Sequence, residues 1–533
     1  MKRRAFLDRR AFLLKASAVA AAAACNQATW AQGAAGGDAE VAAELTLRDG
    51  PAAGLGNGPV PLNYTGLSYE LAQLTEPQFF SAANHELVTH FRLLSPHGVL
   101  RIGGNTSEFC WFQADAATPA PSLRVPPGNL EDNWMPHRLF AIRPEAIDAL
   151  AGFLQATGWK LIYGLNFGNS TPERAATEAA YVARAVGERL EFFQIGNEPD
   201  LYQKASNGTR PPGWGFDDSL REWTGYADAI AARVPGARFG GPDVNSASDW
   251  VTRFGNEVAP ELRARLTTLT GHYYAEGPPN DPRVTTERLL AGNAKIAAGM
   301  AEIEAVARAH GLVYRMTEGN SCYRGGKPGM SNAFAAALWA GDYMLQLASL
   351  GCVGVNLHGG RGSFLSAGLG DHTPGLDVAK TPQAMKSGFY TPIFSEPDSP
   401  VKAMPIFYGM LLANQFAGCD LLQVDGLDVD GRIEGANATV YAARAGSGFK
   451  IALFNKDELK DVNVSLRMPV KVRTATAWRL QAPALDSTEG VTLAGAEIRA
   501  GQWSPRVVEP VAVRDGIARI RIPASSAALV MVG

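Results

Sequence analysis

Two glutamates stand in settings that suit chemistry. Glu198 lies in Gln194-Ile195-Gly196-Asn197-Glu198-Pro199, and Glu318 in Met316-Thr317-Glu318-Gly319-Asn320. Each closes a short, apolar, β-rich run. Two carboxyl groups facing one pocket can cleave a glycosidic bond. One protonates the leaving oxygen; the other attacks the anomeric carbon or activates water. A gap near ~5 Å permits a covalent glycosyl-enzyme and retention, and a wider gap gives inversion. Taken singly, each glutamate has a plainer reading. Asn-Glu-Pro fits a helix N-terminus, where a cap and a negative charge are favoured. Thr-Glu-Gly fits a strand end entering a turn. Their joint placement decides.

From Leu62 to Val355 one theme repeats: a β-rich run ends in polar or glycine residues, and a helical segment follows. The eight runs are Asn63–Tyr69, Gly98–Gly103, Lys160–Asn166, Leu190–Gly196, Arg238–Gly241, Leu266–His272, Leu312–Thr317 and Cys352–Asn356. Strands alternating with helices imply parallel pairing through right-handed crossovers, and eight such units close into a (β/α)8 barrel. An open doubly wound sheet is the structural alternative. Glu198 ends the fourth run and Glu318 the seventh, so on a barrel both face the mouth, where active sites sit. Arg143-Pro144-Glu145 opens one helix with proline in its first turn, followed by the stripe Ala146, Leu150, Phe153 and Leu154. Thr171-Pro172-Glu173 opens a second, and a third spans about Thr286 to Ala309. Long connections, Asn105 to about Arg143 and His358 to about Pro405, leave strand ends on the active face and are expected to shape access.

After about Ala417 the helical period gives way to short alternating segments: Thr439–Arg444, Phe449–Asn455, Asp461–Leu466, Thr474–Leu480, Ala518–Ile522 and Ala527–Val532. They predict a C-terminal antiparallel β-sandwich. The expected organisation is a signal over 1–31, an N-terminal segment over 32–60, the barrel over 61–416 and the β-domain over 417–533. Glu44–Leu47 is strand-like and fits either domain. Arg9-Arg10-Ala11-Phe12-Leu13-Leu14-Lys15, an alanine-rich stretch and Thr29-Trp30-Ala31 resemble a twin-arginine export signal cleaved after Ala31. Export to the periplasm or medium follows, with lipid attachment at Cys25 as the alternative. With a net charge of −3, nothing suggests a polyanion-binding surface, so nucleic acid is not an expected partner. No later apolar run is long enough to span a membrane. Cys110, Cys322, Cys352 and Cys419 lack metal-type spacing and read as buried thiols, a local Cys110–Cys322 pair being conceivable. No spacing proposes a metal, and no cofactor is expected. Gly359-Gly360-Arg361-Gly362 is glycine-rich but lacks the acidic residue of a dinucleotide site, and reads as a mobile loop.

Acid/base and nucleophile on strands four and seven resemble the large clan of retaining barrel glycosidases. Within it the chain resembles glycoside hydrolase family 79, which holds β-glucuronidases and heparanases. The matching pieces are Gly66-Leu67-Ser68-Tyr69-Glu70, Leu100-Arg101-Ile102-Gly103-Gly104-Asn105, Gln194 to Asp200, Gly271-His272-Tyr273-Tyr274, and Glu318 through Gly326. Gly495-Ala496-Glu497-Ile498 through Trp503 resembles that family's C-terminal domain. The resemblance implies Glu198 as acid/base and Glu318 as nucleophile. It implies that Tyr274, with Arg101, keeps Glu318 charged, that Asn197 meets the sugar 2-hydroxyl, and that Glu70 and Asn105 bind ring hydroxyls. Tyr323, the turn at Arg324 and Gly325, and Tyr390 are its candidates for a uronate carboxylate. A structural tyrosine, a barrel ion pair for Arg101 and loop residues with local bonds are the plainer readings; His272 reads either as support for the floor of the site or as a satisfied structural histidine, the latter favoured. The stretch Arg361 to about Ser387 departs from the family pattern and should sit over the pocket.

The implied activity is a monomeric, retaining exo-β-glucuronidase acting on a carbohydrate with a uronic acid. An endo-acting heparanase-like enzyme is disfavoured by the lack of Lys/Arg clusters in the active-face loops. A neutral-sugar retaining glycosidase and an inactive carbohydrate-binding scaffold are the remaining alternatives.

Overall fold

The computed structural model describes residues 40–51, 58–124, 138–204, 207–245, 248–292, 295–370 and 388–533. The expected signal, Cys25 and most of the 361–387 stretch lie outside them. The eight runs form eight parallel strands: Thr65–Glu70, Val99–Gly103, Lys160–Leu165, Leu190–Ile195, Phe239–Asn245, Leu266–Glu276, Val313–Cys322 and Val355–Gly359. They close into a barrel, the eighth pairing with both the seventh and the first. Every residue of the first, second and eighth strands is buried, as strands covered on both faces must be.

Proline opens the helices Pro144–Thr157 and Pro172–Val186, and Ala146, Leu150, Phe153 and Leu154 are all buried on the first. The third expected helix is two, Thr286–Ala291 and Lys295–Ala309, the first ending at Gly292 with φ 71°. The glycine-rich stretch differs from expectation. Gly362–Ala367 is a short helix, and its first N–H donates to Glu396 Oε1 at 2.5 Å. Arg361 is pinned by an ion pair with Glu76 and a bond to the Ser395 carbonyl.

Four strands run well past the apolar runs, the eighth to Gly359. The fifth passes Pro242 to Asn245, the sixth reaches Glu276 and the seventh reaches Cys322. Polar and glycine residues mark turns in isolation, but here they are held by pairing: Glu318 faces His272, Asn320 faces Tyr274 and Cys322 faces Glu276. Register slips once between Met316 and Glu318, and once between Pro242 and Val244. A bulge re-aims side chains. Thr317 and Glu318, consecutive residues, thus both reach polar groups inside the barrel.

The C-terminal segments form one continuous, mostly antiparallel sheet of eleven strands. It folds over so that Val440, Ile451 and Val530 share a core with Leu45, Val464 and Ile520. Glu40–Pro51 joins this sheet, parallel to Asp461–Arg467 and antiparallel to Asp420–Asp425. The sheet is tied to the barrel by Asp342, on helix Phe334–Ser349, which accepts from Thr439 Oγ1 at 2.5 Å and Tyr441 Oη at 2.8 Å and pairs with buried Lys456. Removing one partner of a buried ion pair costs about 3–5 kcal/mol, because the other charge is stranded. Asp342→Ala should therefore lower unfolding stability by about that amount in urea, with much of it recovered when Lys456→Met is added. A loss below about 1 kcal/mol, the range of an exposed pair, would show the pair to be solvated.

Candidate active site

Arg101 sits at the centre of the barrel, fully buried. A guanidinium has five N–H donors, and all five are used here. Nε donates to Gln194 Oε1 at 2.8 Å. Nη1 donates to Ser68 Oγ at 3.0 Å and Glu318 Oε2 at 2.5 Å. Nη2 donates to Asn197 Oδ1 at 2.8 Å and Asp243 Oδ2 at 2.5 Å. Burial opposes its charge, but Asp243 and Glu318 outweigh that and hold it cationic. One side chain thus ties together strands one, two, four, five and seven.

Glu318 is 6% exposed. Tyr274 Oη donates to its Oε1 at 2.8 Å, and His358 Nδ1 lies 3.7 Å from its Oε2. Burial works against ionisation, yet His358, His272, Arg101 and the Tyr274 bond together bring its pKa down to about 2. The group is an anion at any ordinary pH, as a nucleophile must be.

Glu198 is also 6% exposed. It follows Gly196 (φ 89°) and itself has φ 51°, uncommon for a residue other than glycine. Its N–H donates to the Asp243 carbonyl at 2.8 Å, and its own carbonyl accepts from Leu201 at 2.9 Å. Its Oε1 accepts from Asn245 Nδ2 at 2.7 Å and contacts His272 Nδ1 at 3.0 Å. Among the described residues Oε2 has no hydrogen-bond partner, and it is not sealed from solvent. A carboxylate oxygen of Glu198, one of Glu318 and a ring nitrogen of His272 all lie within 4.8 Å of one another. Such a trio could ligate a cation. Arg101 and His272, however, already bring positive charge to these carboxylates.

His272 is more than a structural histidine. Its Nε2 lies 3.0 Å from Asp243 Oδ1, close but poorly aligned, so charge attraction dominates that contact. Burial disfavours the imidazolium, but Asp243 and Glu318, with bonds toward Asp243 and Glu198, raise its pKa to about 10.

The other expected residues divide. Asn197 is locked between Arg101 and Asn105 Oδ1, to which its Nδ2 donates at 3.0 Å. Asn105 in turn donates to the Gly368 carbonyl at 3.0 Å. Glu70 Oε2 accepts from Thr106 N and Oγ1 at 2.8 and 2.6 Å, while Oε1 lies 3.5 Å from His358 Nε2. A Cβ on Gly368 would approach Glu70 Oε1 to 2.6 Å, so the described part of the 361–387 stretch abuts Glu70 and Asn105. The rings of Tyr323 and Tyr390 lie 6.4 and 6.2 Å from that of Tyr274. Arg324 has φ 58° and Gly325 φ 85°. That sharp turn brings the Gly325 carbonyl to Tyr390 N at 3.3 Å, and the Arg324 guanidinium lies over the Tyr323 ring at 5.9 Å. Among the described residues the cysteines are four separate buried thiols, and Cys110 and Cys322 do not pair.

Asp243, Asn245, His358 and Glu108 were missed by the sequence reading. Glu108, fully buried, accepts from the N–H groups of Phe167 at 2.9 Å and Asn197 at 2.7 Å, fixing two active-face turns. Asp243 and Asn245 follow Pro242, where the fifth run was ended. His358 lies two residues past Asn356, on the same strand face.

An eight-stranded parallel barrel with two carboxylates at its mouth defines the architecture of the barrel glycosidases. Residues 440–529 match the glycosyl hydrolase family 79 C-terminal beta domain. The chain is 26% identical over 311 residues to a β-glucuronidase of Aspergillus niger, covering 54% of this chain and 55% of that one. It is 27% identical over 290 residues to a β-glucuronidase of Neurospora crassa, covering 49% and 50%. The chain thus matches about half the length of these curated relatives. Among solved structures, a 4-O-α-L-rhamnosyl-β-D-glucuronidase from Fusarium oxysporum aligns with a TM-score of 0.71 at 18% identity, covering 91% of this chain and 99% of that one. That likeness bears on the fold. The likeness to family 79 thus rests on residues 440–529 and on the half of the chain that aligns with the two β-glucuronidases.

Tyr274→Phe deletes a donor to a charged acceptor, a bond of about 1.5–3 kcal/mol. The Glu318 titration, followed by carboxyl carbon NMR, should rise by about one to two pH units from its low value. No rise would mean that the cations alone hold the charge.

Proposed function

We propose that the chain is a retaining exo-β-glucuronidase, with Glu198 as acid/base and Glu318 as nucleophile. The carrying observation is the approach of their oxygens to within 4.8 Å. Retaining enzymes hold the carboxyl groups about 5–5.5 Å apart, and inverting ones need about 6.5–9.5 Å for a water. In the first half-reaction Glu318 forms a bond to the anomeric carbon as the glycosidic oxygen leaves with the Glu198 proton. In the second, Glu198 takes a proton from water, whose oxygen displaces Glu318. Glu198 Oε1 is occupied by Asn245 and His272, so the proton belongs on Oε2. Asn197, aligned by Arg101 and Asn105, is the group for the sugar 2-hydroxyl.

A uronate carboxylate is best received beside Tyr274, where Tyr323, Tyr390 and the Arg324-Gly325 turn converge. The named β-glucuronidase relatives favour this sugar over a neutral one. Exo action is supported by Gly368, which abuts Glu70 and Asn105 and narrows the site beyond the ring. Export rests on the Arg9-Arg10 segment. Among the described residues no helix is long and apolar enough to cross a membrane.

A panel of aryl β-glycosides tests the reading. Wild type should prefer the glucuronide and release the β-anomer first, seen by proton NMR. Glu318→Gln should lose at least ~10³-fold in kcat. Release of the α-anomer would sink retention; preference for a neutral sugar would sink the glucuronidase assignment; binding without turnover would leave only a lectin-like scaffold.

A further inference from the structure

Asp243 is a buried anion in this centre to which the mechanism above gives no task. It is 1% exposed and has φ 62° at a bulge. Its Oδ2 accepts from Arg101 at 2.5 Å, and its Oδ1 accepts from Gln194 Nε2 and from Thr317 Oγ1 at 2.6 Å and faces His272 Nε2 at 3.0 Å. Its backbone carbonyl holds the N–H of Glu198. The residue therefore touches Arg101, which holds Glu318, and His272, which holds Glu198. It does not touch the pocket itself.

We propose that Asp243 is a positioning residue, the counter-ion that fixes Arg101 on Glu318 and keeps His272 as an imidazolium on Glu198. The inference rests on the roles assigned above. Its logic is charge balance. Before the first step of the proposed mechanism Arg101 and His272 are the cations, Asp243 and Glu318 are the anions, and the proton to be donated is on Glu198. In the glycosyl-enzyme Glu318 is a neutral ester, Glu198 has given its proton to the leaving group, and the anions are Asp243 and Glu198. The charges of these five groups sum to zero in both states. A buried site pays heavily for net charge, so an unchanged sum lets the proton and the ester exchange without a new uncompensated ion. Asp243 is what makes the sum vanish. The groups facing His272 are Glu198 and Asp200 from the fourth strand end, Asp243 from the fifth, Glu318 from the seventh, and, through Asp243, Arg101. Asp200 is pushed up to about 7 by burial and by Glu198, so it adds little charge below neutrality. Asparagine at 243 would also turn an N–H toward a donor, since both Asp243 oxygens accept.

The test uses the full chain. Imidazole nitrogen NMR, assigned with His272→Gln, should show wild-type His272 protonated from about pH 5 to 9, far above the ordinary histidine range. A neutral ring at about pH 8 would overturn the proposal, and this needs no variant. In Asp243→Asn, His272 should titrate below about pH 8. The variant's kcat on an aryl glucuronide should fall at least ~100-fold while KM stays within about threefold, the signature of an interaction felt in the transition state. An unchanged His272 titration, or a kcat within about threefold of wild type, would also overturn it. If the wild type cleaves no glycoside, the proposed activity falls, and the wild-type NMR still judges the counter-ion.

Discussion

The architecture hangs on one buried cation. Arg101 cannot lose its proton under ordinary conditions, and a guanidinium left in the barrel with unmade bonds would cost several kcal/mol. Its five N–H groups point in fixed directions, so the acceptors must arrive at fixed places. Ser68, Gln194, Asn197, Asp243 and Glu318 do so from four other strands or strand ends. The condition that lets the barrel close therefore also sets where Glu318 and Asn197 stand. A lysine, with a point charge and three donors, would satisfy neither the geometry nor the count.

Regular barrel strands alternate their side chains and cannot alone supply this many inward polar groups. The two register slips supply the difference. One lets Thr317 and Glu318 both face inward, and the other presents Asp243 with φ 62°. Glu198 adds a third irregularity at φ 51°. Residues held outside the common backbone regions cost of order 1–3 kcal/mol each. They persist because surrounding bonds over-determine them: Glu198 N is held by Asp243, and Asn197 N by Glu108.

Much of this was legible in the chain. The eight runs, the two glutamates and the β-rich segment over 417–533 stand out because period and punctuation are local signals. Strand ends were read short for the same reason. Pro242, and the Gly-Asn-Ser after Glu318, look like turns until a neighbouring strand pairs with them. Asp243 and His358 fell just past those apparent ends. The bulges were invisible, because a one-residue slip leaves no mark on composition. Glu44–Leu47 could be seen as strand-like, but the strand it belongs to, Glu40–Pro51, pairs with Asp461–Arg467, more than four hundred residues away in sequence.

Two glutamates of identical chemistry end with different characters because the charges around them are not symmetric. Arg101 and Tyr274 take one oxygen each of Glu318, leaving an anion bound on both sides. Glu198 is bonded through Oε1 only, and its other oxygen has room for a proton. His272 lies near both carboxylates, bonded to Glu198 and adding its charge to the field at Glu318. The difference in bonding between the two carboxylates is thus set by neighbours on strands two, five and six. It would persist if the two glutamates were compared in isolation and found alike.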